Sequence, residues 1–179
     1  LVSFSPKSAQ SAIIKHCGKL TETMNITVLA VGNKMPRWVS EATEEYAKRF
    51  GREINFSIKE LKPEKRGAGV NAEQGMLAEE ARILAAIPQG SFVVVLDERG
   101  QAPTSVQLSE HMGRWLQEGQ DVCFVIGGAD GMTDKVKQQA RLLMRLSSMT
   151  MPHGMVRVLL TEQLYRAVSI LHNHPYHRE

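Results

Sequence analysis

The run Val122-Cys123-Phe124-Val125-Ile126 carries no charged or amide side chain and is closed at once by Gly127-Gly128. Five residues suit a strand and are too few for a buried helix. A strand that is apolar at both odd and even positions has no face to offer water. Such strands belong to parallel sheets covered by helices, because a sheet with one wet face alternates apolar with polar. Ser91 to Leu96 repeats the pattern. Around these two runs the chain alternates. Met24 to Val31 reads as a strand that ends at Gly32, and Pro36 sits where a first helical turn tolerates it. Val39, Ala42, Tyr46 and Phe50 follow at helical spacing, and Ile54 to Leu61 alternates as a strand. Lys62 to Asn71 is a charged loop, Ala72 to Ala86 a helix, Asp97 to Pro103 a turn. Thr104 can cap a helix that runs to about Gln117. A short helix is expected over Thr133 to Ala140, a last strand over Leu142 to Leu146 and a long helix over Met155 to Leu171. The fold class is therefore α/β: a mostly parallel sheet with flanking helices.

Residues 1–23 read differently. They are rich in Ser, Thr and Lys, and Lys7, Lys15 and Lys19 against Glu22 hold +2 of the chain's formal +3. They are expected to be an N-terminal extension, disordered or non-native, ahead of one domain over 24–179. A chain of 179 residues with 42% apolar and 23% charged side chains has the balance of an ordinary globular protein. So small a net charge does not announce nucleic acid, and RNA binding would need a local patch. Lys34, Lys62, Lys65 and Arg66 are its candidates, with plain loop charges as the alternative. Cys17 and Cys123 form no C-x-x-C pair, as in a reduced cytosolic protein. No apolar run approaches the roughly 18–20 residues of a membrane span, and the start lacks a signal peptide's apolar region. A soluble, cytoplasmic protein with no membrane partner is expected.

Ligands in such sheets bind beyond the carboxyl ends of the strands. That directs attention to the loops after Leu96, Ile126 and Leu146. Gly127-Gly128-Ala129-Asp130-Gly131 lets main-chain groups approach a ligand closely. It is no dinucleotide fingerprint, since Ala129 and Met132 stand where glycines are needed, and it lacks the Gly-Lys-Ser/Thr of a P-loop. A tight turn that binds nothing is the alternative. Leu146-Ser147-Ser148-Met149-Thr150-Met151-Pro152-His153 reads as an irregular loop whose free main-chain groups can meet an adenine edge or a ribose. Its methionines point to burial, with core packing as their ordinary role. Four of the six histidines, His153, His172, His174 and His177, stand late in the chain. Histidine is the usual proton carrier near neutral pH. Their spacing gives only a weak metal signal, with no cysteine nearby and no carboxylate except Glu179, and no metal is expected. Arg157, just after the irregular loop, reads equally as an anion ligand or a solvated charge.

Taken in order, Leu96-Asp97-Glu98-Arg99-Gly100, Ile126 to Gly131, Leu146 to His153, Val156 to Ala167 and the closing Asn173-His174-Pro175-Tyr176-His177-Arg178 resemble the RlmH family of bacterial ribosomal RNA large subunit methyltransferases. Leu29 to Pro36 matches as well, and the resemblance runs from Met24 to Glu179. It implies the SPOUT fold, with a C-terminal trefoil knot, one of the few exceptions to unknotted chains. It also implies a homodimer and S-adenosylmethionine as cofactor. The cofactor would be held by main-chain groups at Leu96, at Gly127 and along Leu146, Ser147, Ser148, Met149, Thr150 and Met151. The implied substrate is a pseudouridine of 23S rRNA in the assembled ribosome, methylated at N3.

Given that substrate, His153 or His177 would take the N3 proton, Arg157 or Arg178 would meet the developing charge or a phosphate, and Tyr176 would stack on the base. Two other readings stand beside this one. One is a non-catalytic ribosome- or RNA-binding protein of the same fold. The other is a nucleotide-phosphate-binding module, which the failed fingerprints weaken.

Overall fold

The computed structural model describes residues 23–65 and 71–177. Residues 1–22, Arg66, Gly67, Gly69 and Arg178 lie outside them, and with them the expected N-terminal extension, one candidate of the basic patch and one candidate site residue.

Five strands form one sheet in the order β2-β1-β4-β3-β5, every neighbouring pair parallel. They are β1 (Met24–Val31), β2 (Ile54–Leu61), β3 (Phe92–Gln101), β4 (Val122–Ile126) and β5 (Leu142–Met144). The helices between and after them are α1 (Arg37–Ala47), α2 (Ala72–Ala86), α3 (Ser105–Gln117), α4 (Asp134–Lys137) and α5 (His153–Leu171). All five residues of β4 are buried, as expected of a central strand with both faces covered. Its alternate side chains enter two cores. Val122, Phe124 and Ile126 meet Leu108, Met112 and Trp115 of α3 and Leu160, Leu164 and Ala167 of α5. Cys123 and Val125 meet Ile83 of α2 and Val136 of α4. Each fully buried Val, Leu or Ile here contributes roughly 1.5–3 kcal/mol.

Local signals set most boundaries. Asn71 accepts from Gln74 N at 2.8 Å and starts α2. Thr104 and Gln107 exchange bonds of 3.2 and 2.9 Å in a capping box that starts α3, worth about 1 kcal/mol.

Four expectations need correction. Asp97 to Gln101 is the bent continuation of β3 rather than a turn: Leu96 pairs with Met144, the register breaks, and Gln101 pairs with Met144 again. The expected last strand stops at Met144, because Arg145 N is already bonded to Gln101 O at 2.8 Å, where the chain leaves the sheet. The short helix is only Asp134–Lys137, capped by Thr133. The segment expected to be buried by its methionines is open, with Met149 75% exposed. It is anchored at its two ends rather than packed along its length.

Candidate active site

The strand order decides where the site lies. The carboxyl ends of β5, β3, β4 and β1 stand in a row. The chain leaves β5 at Met144 and reaches β1 at His153, whose Nε2 lies 2.6 Å from Val31 O. Residues 145–152 therefore cross the ends of β3 and β4, a span of about 14 Å at roughly 4.8 Å per strand. Leu96 ends the regular part of β3, and Gly127 follows β4 directly. Leu96, Gly127 and the run Leu146 to Met151 thus meet at one end of the sheet.

The glycines make that end tight. A Cβ on Gly127 would stand 2.6 Å from Met132 Cγ, and one on Gly128 would stand 2.4 Å from Glu79 Oε2. Gly131 takes φ +89 and returns its N–H to Gly128 O at 3.2 Å. Two ion pairs brace the loops. Glu80 of α2 accepts from Thr133 Oγ1 at 2.7 Å and Lys135 Nζ at 2.9 Å, and Asp97 meets Lys137 at 2.7 Å. Burial pushes the Asp97 carboxyl up. Lys137 and the Arg99 N–H outweigh it and hold the group below its ordinary range. Within the open run, Ser147 Oγ accepts from Met149 N at 2.9 Å.

At the β1 end, α5 presents His153 and Arg157 on one face by their i, i+4 spacing. Arg157 is 3% exposed, donates to Gly32 O at 2.8 Å and pairs with Glu60 Oε1 at 2.5 Å. Glu60 reaches it because β2 runs in register beside β1, Ala30 opposite Glu60. Gly32, at φ +141, leaves room for the guanidinium, since a Cβ would lie 3.3 Å from Arg157 Nη2. A carbonyl only accepts, so the proton of His153 sits on Nε2 and Nδ1 carries a lone pair. Burial, then the Arg157 charge, lowers the imidazole pKa below its ordinary value, and the positive end of α5 acts in the same sense.

The closing segment docks elsewhere on α5. Tyr176 OH donates to Glu162 Oε1 at 3.1 Å, its ring meets Tyr165 edge-on at 4.9 Å, and the Arg166 guanidinium lies 4.8 Å over it. Glu162 and His153 are nine residues apart, roughly 13 Å along the helix. Within one chain, His153 and Arg157 are therefore together, and Tyr176 and His177 are tied to a second place. Lys34 lies just past the end of β1, and Lys62 and Lys65 just past that of β2, all at the same end of the sheet as these loops.

Buried polar side-chain atoms rarely lack a partner. Those without one among the described residues are Arg145 Nε, His153 Nδ1, Arg157 Nε and His177 Nδ1. Three belong to the two ends of the crossing segment and the first turns of α5, and the fourth to the closing segment. Glu60 and Glu162 gave no signal in the sequence, because an acidic residue on an edge strand or an outer helix face is ordinarily solvated.

The family model described as "Predicted SPOUT methyltransferase" matches residues 24–177. This chain belongs to the SPOUT methyltransferase family. It is 79% identical over 156 residues to the ribosomal RNA large subunit methyltransferase H of Neisseria gonorrhoeae strain NCCP11945, covering 87% of this chain and 100% of that one. The protein of the same name from Neisseria meningitidis serogroup C strain 053442 is 78% identical, and that from Chromobacterium violaceum 62%, with the same coverage. The chain is accordingly an enzyme of methyl transfer. Among the described residues no helix is long and apolar enough to cross a membrane, and no group of three or more His, Cys, Asp and Glu is gathered in the manner of metal ligands.

Proposed function

We propose that this enzyme transfers a methyl group from S-adenosylmethionine to N3 of a pseudouridine in the 23S rRNA of the large ribosomal subunit. The convergence of Leu96, Gly127 and the crossing run Leu146 to Met151 at one end of the sheet carries this reading. Relatives named for large-subunit RNA methylation support the substrate class. S-adenosylmethionine would be held by main-chain groups of Leu96, Gly127, Leu146, Ser147, Ser148, Met149, Thr150 and Met151. These residues fit it: Gly127 and its neighbour Gly128 hold a turn too tight for a Cβ, and Arg145 Nε stands buried and unpartnered at the head of the run. When bound, it supplies a methyl group on a sulfonium, which needs no further activation.

The remaining work falls to this chain's side chains. The run aligns donor and acceptor, worth several kcal/mol. The N3 proton goes to a buried imidazole nitrogen with no other partner, His153 Nδ1 or His177 Nδ1. Arg157, spent on Glu60 and Gly32, fixes the β1 end beside His153 and leaves Arg178 to meet the developing charge. Tyr176, with its hydroxyl and ring engaged on α5, acts as a tether in this reading rather than as the stacking platform expected from the sequence.

The reading includes a trefoil knot, a homodimer and a cytoplasmic enzyme acting on assembled ribosomes, with 24–179 as its methyltransferase domain. Residues 97–100 bow around the Met144 backbone while 145–152 pass over β3 and β4, which supports the knot. Trp38 and Met155, 49% and 37% exposed at the same end of α5, support a partner copy.

The test is incubation with labelled S-adenosylmethionine and either ribosomes or free ribosomal RNA from cells lacking this gene. Label at a large-subunit pseudouridine is expected. Cofactor binding without label in either sample would favour the non-catalytic RNA binder, and no cofactor binding would end the proposal.

A further inference from the structure

Glu162 is a charged residue on the middle of α5, only 9% exposed, and both of its oxygens are in use. Oε1 accepts from Arg166 Nε at 2.9 Å, Arg166 Nη2 at 2.5 Å and Tyr176 OH at 3.1 Å. Oε2 accepts from Gln163 Nε2 at 2.7 Å, and Gln163 Oε1 accepts in turn from Ser105 Oγ at 2.7 Å. Ser105 opens α3 right after the capping residue Thr104, four positions past the end of β3. An unbroken line of hydrogen bonds therefore runs from the start of α3, through Gln163 and Glu162, to Tyr176.

The chain is turned back to make this contact possible. Asn173 takes φ +52, the left-handed conformation that ends a helix, and His174 N bonds to Ser169 O at 2.8 Å. His172 reaches Glu53 at 3.3 Å. The Tyr176 ring then lies between the edge of Tyr165 and the Arg166 guanidinium. A buried carboxylate is costly unless fully bonded. Arg166 alone neutralises it, so the tyrosine contact is a use of the group beyond charge balance.

We propose that Glu162 is a positioning residue that fixes the closing segment to α5 through Tyr176 and so sets where His177 stands. This rests on the reading that the closing segment takes part in methyl transfer. Burial, the Tyr46 hydroxyl and Glu162 push the Tyr176 phenol above its ordinary range, so it remains a donor at any working pH. Loss of one bond to a charged acceptor corresponds to about tenfold or more in the population of the docked segment.

The full-length enzyme is compared with Tyr176→Phe, Glu162→Gln, the double variant and a chain ending at Pro175. Methylation of ribosomes is read as kcat and KM, S-adenosylmethionine affinity by titration, and release of the closing residues by carboxypeptidase. Tyr176→Phe removes one hydroxyl and leaves Glu162 paired with Arg166, so it keeps the test valid if Glu162→Gln folds poorly. The expected result is a kcat lowered about tenfold in Tyr176→Phe, faster carboxypeptidase release, unchanged cofactor affinity, and a double variant no worse than the poorer single. An inactive truncated chain beside a Tyr176→Phe enzyme with wild-type kcat and wild-type release would overturn the role of Glu162 alone. A fully active truncated chain would overturn it together with the role of the closing segment.

Discussion

Gly100 offers a sharp test of the bend in β3. A Cβ there would lie 2.5 Å from Met144 N, 2.6 Å from Met144 C and 2.7 Å from Leu143 C. All three are backbone atoms of β5, so no side chain can swing aside. Ordinary contact begins near 3.4 Å, and Gly100→Ala must therefore part the two segments by about 0.9 Å. Overpacking of this kind costs about 1–3 kcal/mol. The Arg145 N to Gln101 O bond that closes the bend stretches as well, adding about 1 kcal/mol. Gly100→Ala is thus expected to lose about 2–4 kcal/mol in urea unfolding with an unchanged slope. S-adenosylmethionine affinity should fall too, because Leu96 and Leu146 flank the displaced contact. Gly90→Ala is the control. Its φ of +77 strains an alanine, but nothing stands within 4 Å, and only about 1–2 kcal/mol is expected. If Gly100→Ala unfolds within about 0.5 kcal/mol of the parent and binds the cofactor equally well, β3 does not wrap β5 as described.

Further outcomes follow from the same geometry. Arg157→Met should cost about 2–3 kcal/mol in unfolding free energy: Glu60, being 44% exposed, regains water, but the Gly32 carbonyl loses its donor. The His153 imidazole should titrate below 6.5 by NMR, for its buried, Arg157-facing site disfavours the cation. As pH falls through 6.5 the unfolded chain gains the proton first. The contribution of this histidine is therefore whole above 6.5 and declines below it, and a midpoint above 6.5 would contradict the assignment. Gly128→Ala meets only the end of the Glu79 side chain, which can swing aside, so urea unfolding should move by less than about 1 kcal/mol, against the larger loss expected of Gly100→Ala. Cys123, fully buried and with its thiol pushed up to about 12, should stay unlabelled by thiol reagents in peptide mapping until the protein unfolds.

The sequence by itself determined the elements. Met24–Val31, Ile54–Leu61, Ala72–Ala86 and Val122–Ile126 stand where their patterns put them, since periodicity of 2 or 3.6, caps such as Asn71 and Thr104, and glycine stops are local properties. It also marked the three strand-end loops, through their glycines and their place after apolar runs. Only the tertiary structure decided which of these meet. An apolar strand states that it is buried, not who its neighbours are. The insertion of β4 between β1 and β3, and of β3 between β4 and β5, is settled by packing over the whole sheet. That order sends residues 145–152 across the strand ends, brings His153 to Val31 and Arg157 to Gly32, 122 and 125 residues away, and leaves Met149 in the open. Glu60 and Glu162 show the same limit from the other side. In one dimension Glu60 is an ordinary surface acid and Glu162 one half of an i, i+4 pair with Arg166, and it is the approach of Arg157 to the one and of Tyr176 to the other that adds a partner from far along the chain or from beyond the helix.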